Sequence, residues 1–290
     1  MRLPERAVVV EVGPRDGLQD QKVFVQTEMK VRFLEELAVA GFSRIEATSF
    51  THPRWIPALR DAGEVVSRLP RPEGLTWSAL IPNLKGYERA RTAGIKEVTL
   101  VVSASDAHNR ANLNRSTAES LQDLAALVEQ ARRDGVRVRG GVVTAFGCPF
   151  EGEVPFERVR FVAAEFARMG VDEITLADTI GAGHPRQVNE LFKLVAEDLP
   201  GIPLSAHFHD RRGFGMANVL AALDAGVNIF DSSVGGLGGC PYAPGAPGNI
   251  PTRQLVELLE AMGVSTGIDL DRVKRAEEIV LEALGQGDPL

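Results

Sequence analysis

Residues 7–17 read Ala-Val-Val-Val-Glu-Val-Gly-Pro-Arg-Asp-Gly, a β-branched apolar run that passes directly into a short polar turn. The run predicts a buried strand. In a doubly wound dinucleotide-binding fold the first strand is followed by the pattern Gly-x-Gly-x-x-Gly, which residues 13–17 lack. The other common way to bury a parallel strand on both faces is a barrel of alternating strands and helices.

The remainder of the chain repeats this strand at regular intervals. Between the apolar runs lie segments whose apolar residues recur with a period near 3.6, which is typical of helices that pack on one face. Near-continuously apolar strands separated by helices indicate a parallel sheet covered on both faces. The predicted strands occupy residues 7–12, 44–48, 76–81, 97–102, 136–144, 173–177, 203–208 and 227–232.

The predicted helices carry boundary signals of their own. Ser116 and Glu119 have the spacing of a capping box, and Pro155 suits the first turn of a helix. A glycine followed by an apolar residue predicts a helix that ends in a left-handed residue just before the next strand. That pair occurs at Gly41, Gly94, Gly135, Gly170 and Gly226.

Eight strand–helix units in about 250 residues match the size of a TIM barrel. We therefore predict an α/β fold, a (β/α)8 TIM barrel, with the 290 residues forming a single catalytic domain. Residues 263–290 are expected to add a C-terminal helix outside the barrel. An open doubly wound sheet is the alternative.

Composition excludes several other classes of protein. The chain is 44% hydrophobic and carries 32 Lys and Arg against 39 Asp and Glu, a formal charge of −7 without a basic run. Nucleic acids and anionic membranes are therefore not expected partners. We find neither a signal-peptide pattern nor an apolar run of the roughly 20 residues that cross a bilayer. Two cysteines suggest a reducing compartment, and a cytoplasmic location is expected.

Polar residues cluster at the C-terminal ends of the predicted strands, where TIM barrels carry their sites. Arg15 and Asp16 follow the first strand, His207 and His209 end the seventh, and Asn249 lies beyond the loop after the eighth. Closing the barrel makes these strands neighbours, and residues i and i+2 of a strand face the same way. Two imidazoles, a carboxylate and a carboxamide suit Mg²⁺ or Mn²⁺ better than Zn²⁺. The alternative is a pair of hydrogen-bonded core histidines.

Three further carboxylates lie on or next to these strands. Glu46, inside the apolar second strand, needs a buried partner, and Arg15 is the natural one. Asp210 either orients a ligand imidazole or caps a helix predicted over residues 213–225. Asp178, at the end of the sixth strand, has the same two interpretations.

The two cysteines call for different interpretations. Cys240 lies among four glycines after the eighth strand, and a thiol on a glycine-rich loop above a metal site suggests an acid or base carried on a lid. Cys148 ends the fifth strand and is interpreted as structural.

Several motifs resemble those of the 3-hydroxy-3-methylglutaryl-CoA lyase family of metal-dependent carbon–carbon lyases. The most specific block is Ser-Val-Gly-Gly-Leu-Gly-Gly-Cys-Pro-Tyr at residues 233–242, in which Gly235 stands where alanine is usual. A second block is Val-Glu-Val-Gly-Pro-Arg-Asp-Gly-Leu-Gln at residues 10–19. The resemblance covers nearly the whole chain, with further similar blocks at residues 48–50, 82–86, 103–105, 147–152 and 178–181.

The resemblance implies a retro-Claisen cleavage of a 3-hydroxyacyl-CoA, for which hydroxymethylglutaryl-CoA gives acetyl-CoA and acetoacetate. It implies that a divalent cation, Mg²⁺ or Mn²⁺, is bound by Asp16, His207, His209 and Asn249. It also implies that Arg15 stabilises the enolate and that Cys240 is the acid/base of the loop. A place in catalysis is expected for His207 as acceptor of the hydroxyl proton, and for Glu46 and Asp178. The implied partners are an acyl-CoA thioester and a second copy of the chain.

Alternative functions remain at this point. Gly141 stands where the family usually has tyrosine, which puts the acyl group in doubt, and a lyase for another 3-hydroxyacyl-CoA such as citramalyl-CoA is the main alternative. A Claisen-condensing synthase and a non-catalytic barrel that binds CoA or a metal are weaker ones.

Overall fold

The computed structural model describes residues 3–239 and 248–285. Its eight strands are all parallel and close into a barrel in chain order, with β8 paired to β1. The predicted TIM barrel is therefore confirmed, and each strand lies within a residue or two of its predicted run. The strands are β1 (Val8–Glu11), β2 (Arg44–Ser49), β3 (Thr76–Leu80), β4 (Glu97–Ser103), β5 (Arg137–Val143), β6 (Glu173–Asp178), β7 (Leu204–Phe208) and β8 (Ile229–Ser232).

Ten helices are described, and most of them cover the outside of the barrel. Their buried faces follow the apolar periodicity; Leu121, Leu124 and Val128 of α5 are examples. Gly140 of β5 faces outward against them, since a Cβ there would meet the ring of Phe166 in α6. The helices are α1 (Thr27–Ala38), α2 (Ala62–Arg68), α3 (Leu84–Thr92), α4 (Asp106–Leu113), α5 (Thr117–Arg133), α6 (Phe156–Met169), α7 (Pro185–Asp198), α8 (Gly215–Asp224), α9 (Thr252–Ala261) and α10 (Leu270–Ala283).

The helix boundaries largely match their signals. The capping box of Ser116 and Glu119 is present, and all five predicted terminal glycines have positive φ. Pro155 is an exception, because it has an extended ψ of 138° and precedes α6 instead of lying in its first turn. The helix predicted over residues 213–225 begins two residues late, at Gly215.

The predicted C-terminal helix is α10, which packs against α1. Its inner face buries Val273 and Val280, and Arg272 and Arg275 donate to Glu36 of α1 at 3.0 and 2.9 Å. No helix within residues 3–239 and 248–285 is long and apolar enough to cross a membrane.

The barrel interior holds charged side chains where branched aliphatic residues are usual. Arg44 of β2 donates to Glu173 of β6 at 2.6 Å, and strands 2 and 6 are not neighbours, so this contact crosses the interior. Charges of alternating sign continue on either side of this pair, all of them buried except half-exposed Arg137 at one end. We call the alternating series the interior charge chain; it consists of Arg137, Glu97, Arg44, Glu173, Arg139 and Asp231.

Candidate active site

A tight turn after β1 directs Arg15 and Asp16 to the C-terminal end of the barrel. The backbone N–H of Asp16 donates to the carbonyl of Val12 at 2.7 Å, which closes a single turn over Gly13–Gly17. Arg15 donates through Nε to Glu46 and through Nη1 to Asp16. The predicted pairing of Arg15 with Glu46 is therefore confirmed by the geometry, and among the described residues Nη2 of Arg15 has no partner.

The two histidines of the seventh strand face the same point. The ring centroids of His207 and His209 are 5.1 Å apart, and Nε2 of His209 lies 3.7 Å from Oδ2 of Asp16. One side-chain donor atom from each of Asp16, His207 and His209 lies within 4.8 Å of the others. The structure thus brings together three residues from opposite ends of the sequence, as barrel closure requires.

Asn249 joins this cluster through a short antiparallel pairing at the end of β7. The N–H of Asp210 donates to the carbonyl of Gly248 at 2.9 Å, and the N–H of Ile250 donates to the carbonyl of Phe208 at 3.2 Å. This holds Asn249 opposite His209. The Asn249 amide then donates to Asp16 at 2.7 Å, so all four predicted ligands are adjacent.

The glycine-rich loop after β8 begins directly against these residues. A Cβ on Gly238 would lie 2.5 Å from Nδ2 of Asn249 and 3.5 Å from Oδ2 of Asp16, and its φ is 124°. Only glycine fits there without displacing Asn249. Cys240 and Tyr242 lie outside the described residues, so the interpretation of this thiol as a lid residue stays a prediction.

The four-residue cluster has the chemistry of a divalent-cation site. Its donors are a carboxylate, a carboxamide and two imidazoles, a set that binds divalent metals. Burial alone would raise the pKa of Asp16, but Arg15 and the two imidazoles hold it well below its usual value. The buried Nδ1 of His209 has no protein partner among the described residues, which is costly for a buried imidazole. These residues fit a bound cation.

Asp231 is a site residue that the sequence analysis missed. Its Oδ2 lies 3.0 Å from Nδ1 of His207, and its Oδ1 accepts from Arg139 at 2.6 Å. Burial raises the pKa of Asp231, but the Arg139 charge and the His207 hydrogen bond together lower it to about 2. The signal was available in the sequence, because Asp231 is a carboxylate inside an apolar strand, as Glu46 is.

Asp210 and Asp178 are both occupied by backbone groups. Asp210 accepts the N–H of Gly215, the first residue of α8, at 2.7 Å. Phe214 occupies the N-cap position, so Asp210 satisfies a first-turn N–H without being the cap residue, and this contact favours a structural role over the orientation of a ligand imidazole. Asp178 accepts the N–H groups of Ala182 and Gly183, each at 2.9 Å. Burial raises the pKa of Asp178, and the geometry favours a role in holding the loop after β6 over direct catalysis.

Cys148 has the environment of a structural thiol. It is buried and accepts from the backbone N–H groups of Phe150 and Glu151, each at 3.4 Å. Ser105 Oγ lies 2.9 Å from its sulfur. The structural interpretation of Cys148 agrees with these contacts.

Glu11 ties the turn after β1 to the loop after β8. Its Oε1 accepts the N–H groups of Gly13 at 2.7 Å and Val234 at 3.0 Å, and its Oε2 accepts from Thr252 Oγ1 at 2.6 Å. Complete burial outweighs these hydrogen bonds and raises the pKa of Glu11 to about 7. Both loops of the site therefore depend on one carboxyl group that is protonated more readily in the folded protein than in the unfolded chain.

We expect this carboxyl to make stability fall as pH rises. A folded-state pKa above the unfolded value contributes stability that is complete below about pH 4.5 and is lost as pH passes about 7, up to roughly 3 kcal/mol. Glu11→Gln mimics the protonated acid and should abolish this contribution. Urea unfolding at about pH 5 and about pH 8 measures it. An equal loss of stability in both proteins over this interval would contradict the assignment.

Comparisons with known proteins match the whole chain. The family model described as HMGL-like matches residues 6–280. A hydroxymethylglutaryl-CoA lyase from Bacillus subtilis is 43% identical over 289 residues, covering 100% of this chain and 97% of the relative. A 3-hydroxy-3-isohexenylglutaryl-CoA/hydroxymethylglutaryl-CoA lyase from Pseudomonas aeruginosa is 41% identical over 288 residues, covering 99% and 96%. The structure of an HMG-CoA lyase from Acinetobacter baumannii, in complex with coenzyme A and 3-methylmalate, matches with a TM-score of 0.93 at 43% identity, covering 99% of this chain and 93% of that one.

Proposed function

The chain belongs to the HMGL-like family, and we therefore propose that it is a carbon–carbon lyase that cleaves hydroxymethylglutaryl-CoA to acetyl-CoA and acetoacetate. The observation that carries the proposal is the cluster of Asp16, His207 and His209 beside Arg15, in a chain 43% identical over its full length to a lyase of that name. This similarity favours a lyase over a condensing synthase, a citramalyl-CoA lyase or a non-catalytic barrel.

We propose that Asp16, His207, His209 and Asn249 hold a divalent cation, either Mg²⁺ or Mn²⁺. When bound, such a cation makes the hydroxyl group of the substrate more acidic. The cation is expected to be hard, because the cluster contains no thiolate among the described residues.

The contacts of His207 bear on its two predicted roles, cation ligand and proton acceptor. Its Nδ1 is committed to Asp231 at 3.0 Å, so only Nε2 remains for the site. A nitrogen that binds a cation has no lone pair left to accept a proton. We therefore propose His207 as a ligand of the cation, and its predicted role as proton acceptor is the alternative that this contact disfavours.

The hydroxyl proton then needs another acceptor, and we propose the Cys240 thiolate. Gly238, two residues before it in the sequence, lies against Asn249 and Asp16, and the resemblance to the lyase family implies that this cysteine is the acid/base of the loop. The thiolate takes the hydroxyl proton as the carbon–carbon bond breaks and returns it to the enolate carbon, so the protons balance over one cycle. A reducing compartment such as the cytoplasm would preserve this thiol.

Arg15 is proposed to stabilise the enolate oxygen that forms as the bond breaks. Glu46 and Asp16 hold its guanidinium on two sides, and Nη2 is the donor left for substrate. A fixed cation with a directed N–H is the usual means of stabilising such an oxyanion. We propose that Glu46 acts by holding Arg15 in place.

The test is an assay of the purified protein with Mg²⁺ or Mn²⁺ and hydroxymethylglutaryl-CoA, citramalyl-CoA or a longer 3-hydroxyglutaryl-CoA. We expect acetyl-CoA and acetoacetate in equal amounts from the first. Absence of acetyl-CoA from every substrate would overturn the proposed function, and cleavage of citramalyl-CoA alone would change the substrate.

The name of one relative favours a second, larger substrate. Gly141 faces the interior of the barrel, on the same side of β5 as Arg139, and it is the family's tyrosine that is missing there; the backbone itself is closely packed, since a Cβ would lie 3.2 Å from Cγ1 of Val101. The Pseudomonas aeruginosa relative is named for both an isohexenylglutaryl-CoA and hydroxymethylglutaryl-CoA. We propose that this chain also accepts longer 3-hydroxyglutaryl-CoA substrates.

Gly141→Tyr should narrow the substrate range. We expect kcat/KM for a long-chain substrate to fall about tenfold or more relative to that for hydroxymethylglutaryl-CoA, because a filled pocket rejects extra methylenes by about 1–3 kcal/mol. Gly141→Ala is the matched control and should change the ratio little. Equal losses for both substrates in Gly141→Tyr would show that this position does not line the acyl pocket.

A further inference from the structure

The interior charge chain ends at the candidate metal site. From half-exposed Arg137, charges alternate in sign through the barrel, with contacts of 3.4, 2.7, 2.6, 2.9 and 2.6 Å between successive members. The final member is Asp231, and its remaining oxygen faces Nδ1 of His207 at 3.0 Å. A series of ion pairs that served only the packing of the core would not need to end beside His207, a residue of the predicted cation cluster.

The Asp231 carboxylate is held from the side opposite His207. Its Oδ1 is bound by Nη2 of Arg139, which also donates to Ser205 at 3.1 Å. Nε of Arg139 also lies 2.9 Å from Oε1 of Glu173, an ion-pair contact without hydrogen-bond geometry. With the carboxylate fixed on one side, its second oxygen has a fixed position and direction at the imidazole.

A carboxylate can only accept a hydrogen bond, so the Asp231 contact determines which nitrogen of His207 carries the proton. In a neutral imidazole this contact places the proton on Nδ1 and leaves the lone pair on Nε2. Partners of this kind orient ligand imidazoles in many metal sites and change metal affinity about 10–100-fold. His209, in contrast, has no partner at Nδ1 among the described residues.

We propose that Asp231, locked by Arg139, is a positioning residue that fixes the Nδ1–H tautomer and the ring plane of His207 and so prepares Nε2 to bind a divalent cation. The inference rests on the proposed function only in taking His207 as a ligand. It assigns a role to two buried residues, Asp231 and Arg139, that are not part of the cluster of donor atoms.

Asp231→Asn tests this proposal with almost no change in shape. Oδ1 of the new amide still accepts from Arg139, which leaves the NH₂ group facing Nδ1 of His207. The imidazole must then accept at Nδ1 and carry its proton on Nε2, where it blocks the cation. Ser205→Ala is the matched control, because it removes a contact to Arg139 and leaves the Asp231 carboxylate facing His207 unchanged.

Two measurements decide the outcome. In ¹⁵N-histidine NMR spectra of the metal-free protein, at a pH where the imidazole is neutral, wild type and Ser205→Ala should show His207 protonated on Nδ1, and Asp231→Asn on Nε2. In Mn²⁺ titrations, Asp231→Asn should bind about 10–100-fold more weakly than the other two. Wild-type protein with its proton on Nε2, or an Asp231→Asn variant that binds Mn²⁺ as wild type does, would overturn the proposal.

These measurements also distinguish a failure of the positioning role from a failure of the proposed function. If the tautomer switches and Mn²⁺ affinity falls while no 3-hydroxyacyl-CoA is cleaved by the wild type, the positioning role stands and the lyase proposal fails. The wild-type spectrum alone tests the tautomer if Asp231→Asn does not fold.

Discussion

Removing the divalent cation is expected to abolish cleavage, and adding Mg²⁺ or Mn²⁺ to the chelated protein should restore it. Asp16→Asn should weaken Mn²⁺ binding by about 100-fold or more, since partners that only orient ligands already change affinity about 10–100-fold. Asp16 supplies the negative charge of the cluster, and it also contacts Arg15 and Asn249. Calorimetric titration of the metal-free variant measures the loss independently of activity.

Asp20 provides a matched control for this experiment. It lies four residues further along the chain and is exposed, and it is not part of the cluster of donor atoms. The Asp20→Asn variant should bind Mn²⁺ with nearly the wild-type affinity. Full activity in excess chelator, or equal losses of affinity in the two variants, would rule out Asp16 as a ligand.

Arg15→Lys is expected to lower kcat by about 10²- to 10³-fold, as loss of one oxyanion donor does. Lysine keeps the positive charge but cannot bond to Glu46, Asp16 and substrate at the same time through a planar group. Affinity for Mn²⁺ should change much less than kcat. Single-turnover measurements with saturating cation separate the chemical step from binding.

Glu46→Gln is the companion variant, because it weakens the hold on Arg15 but leaves the guanidinium in place. Its kcat should fall less than that of Arg15→Lys. If Arg15→Lys turns over at a near-normal rate, Arg15 serves only to pair with Glu46, and another donor must stabilise the enolate.

The order of strands and the convergence of the cluster could be predicted from the sequence because both follow from local signals. β-branched runs and terminal glycines mark the units, and barrel closure makes β7, β8 and β1 neighbours. The exact first residues of α6 and α8 could not be predicted. At Pro155, for example, a residue that precedes the helix and one in its first turn differ by one position and by a single ψ angle. Asp210 was ambiguous for a related reason, because capping and ligand orientation use the same residue type.

The interior charge chain could not be predicted from local sequence signals. Arg139 and Asp231 are 92 residues apart, and strand periodicity indicates which residues face inward but not which of them meet across the barrel. Glu46 could be paired with Arg15 because the two strands are adjacent. The contact of Asp231 with His207 also joins adjacent strands, β7 and β8, so the same reasoning could have found it. Its contact with Arg139 joins strands that are not neighbours and emerged only from the three-dimensional structure.

The charges inside the barrel also restrict how this enzyme can diversify. Removing one member of a buried ion pair costs about 3–5 kcal/mol, which is a large part of the stability of a typical protein, so Glu173 or Arg44 can be exchanged only together with a partner. Gly141 lies one inward position above Arg139 on β5 and bears no charge. New acyl specificities should therefore evolve by single steps in the layer at Gly141, while the layer beneath it changes only through coupled substitutions.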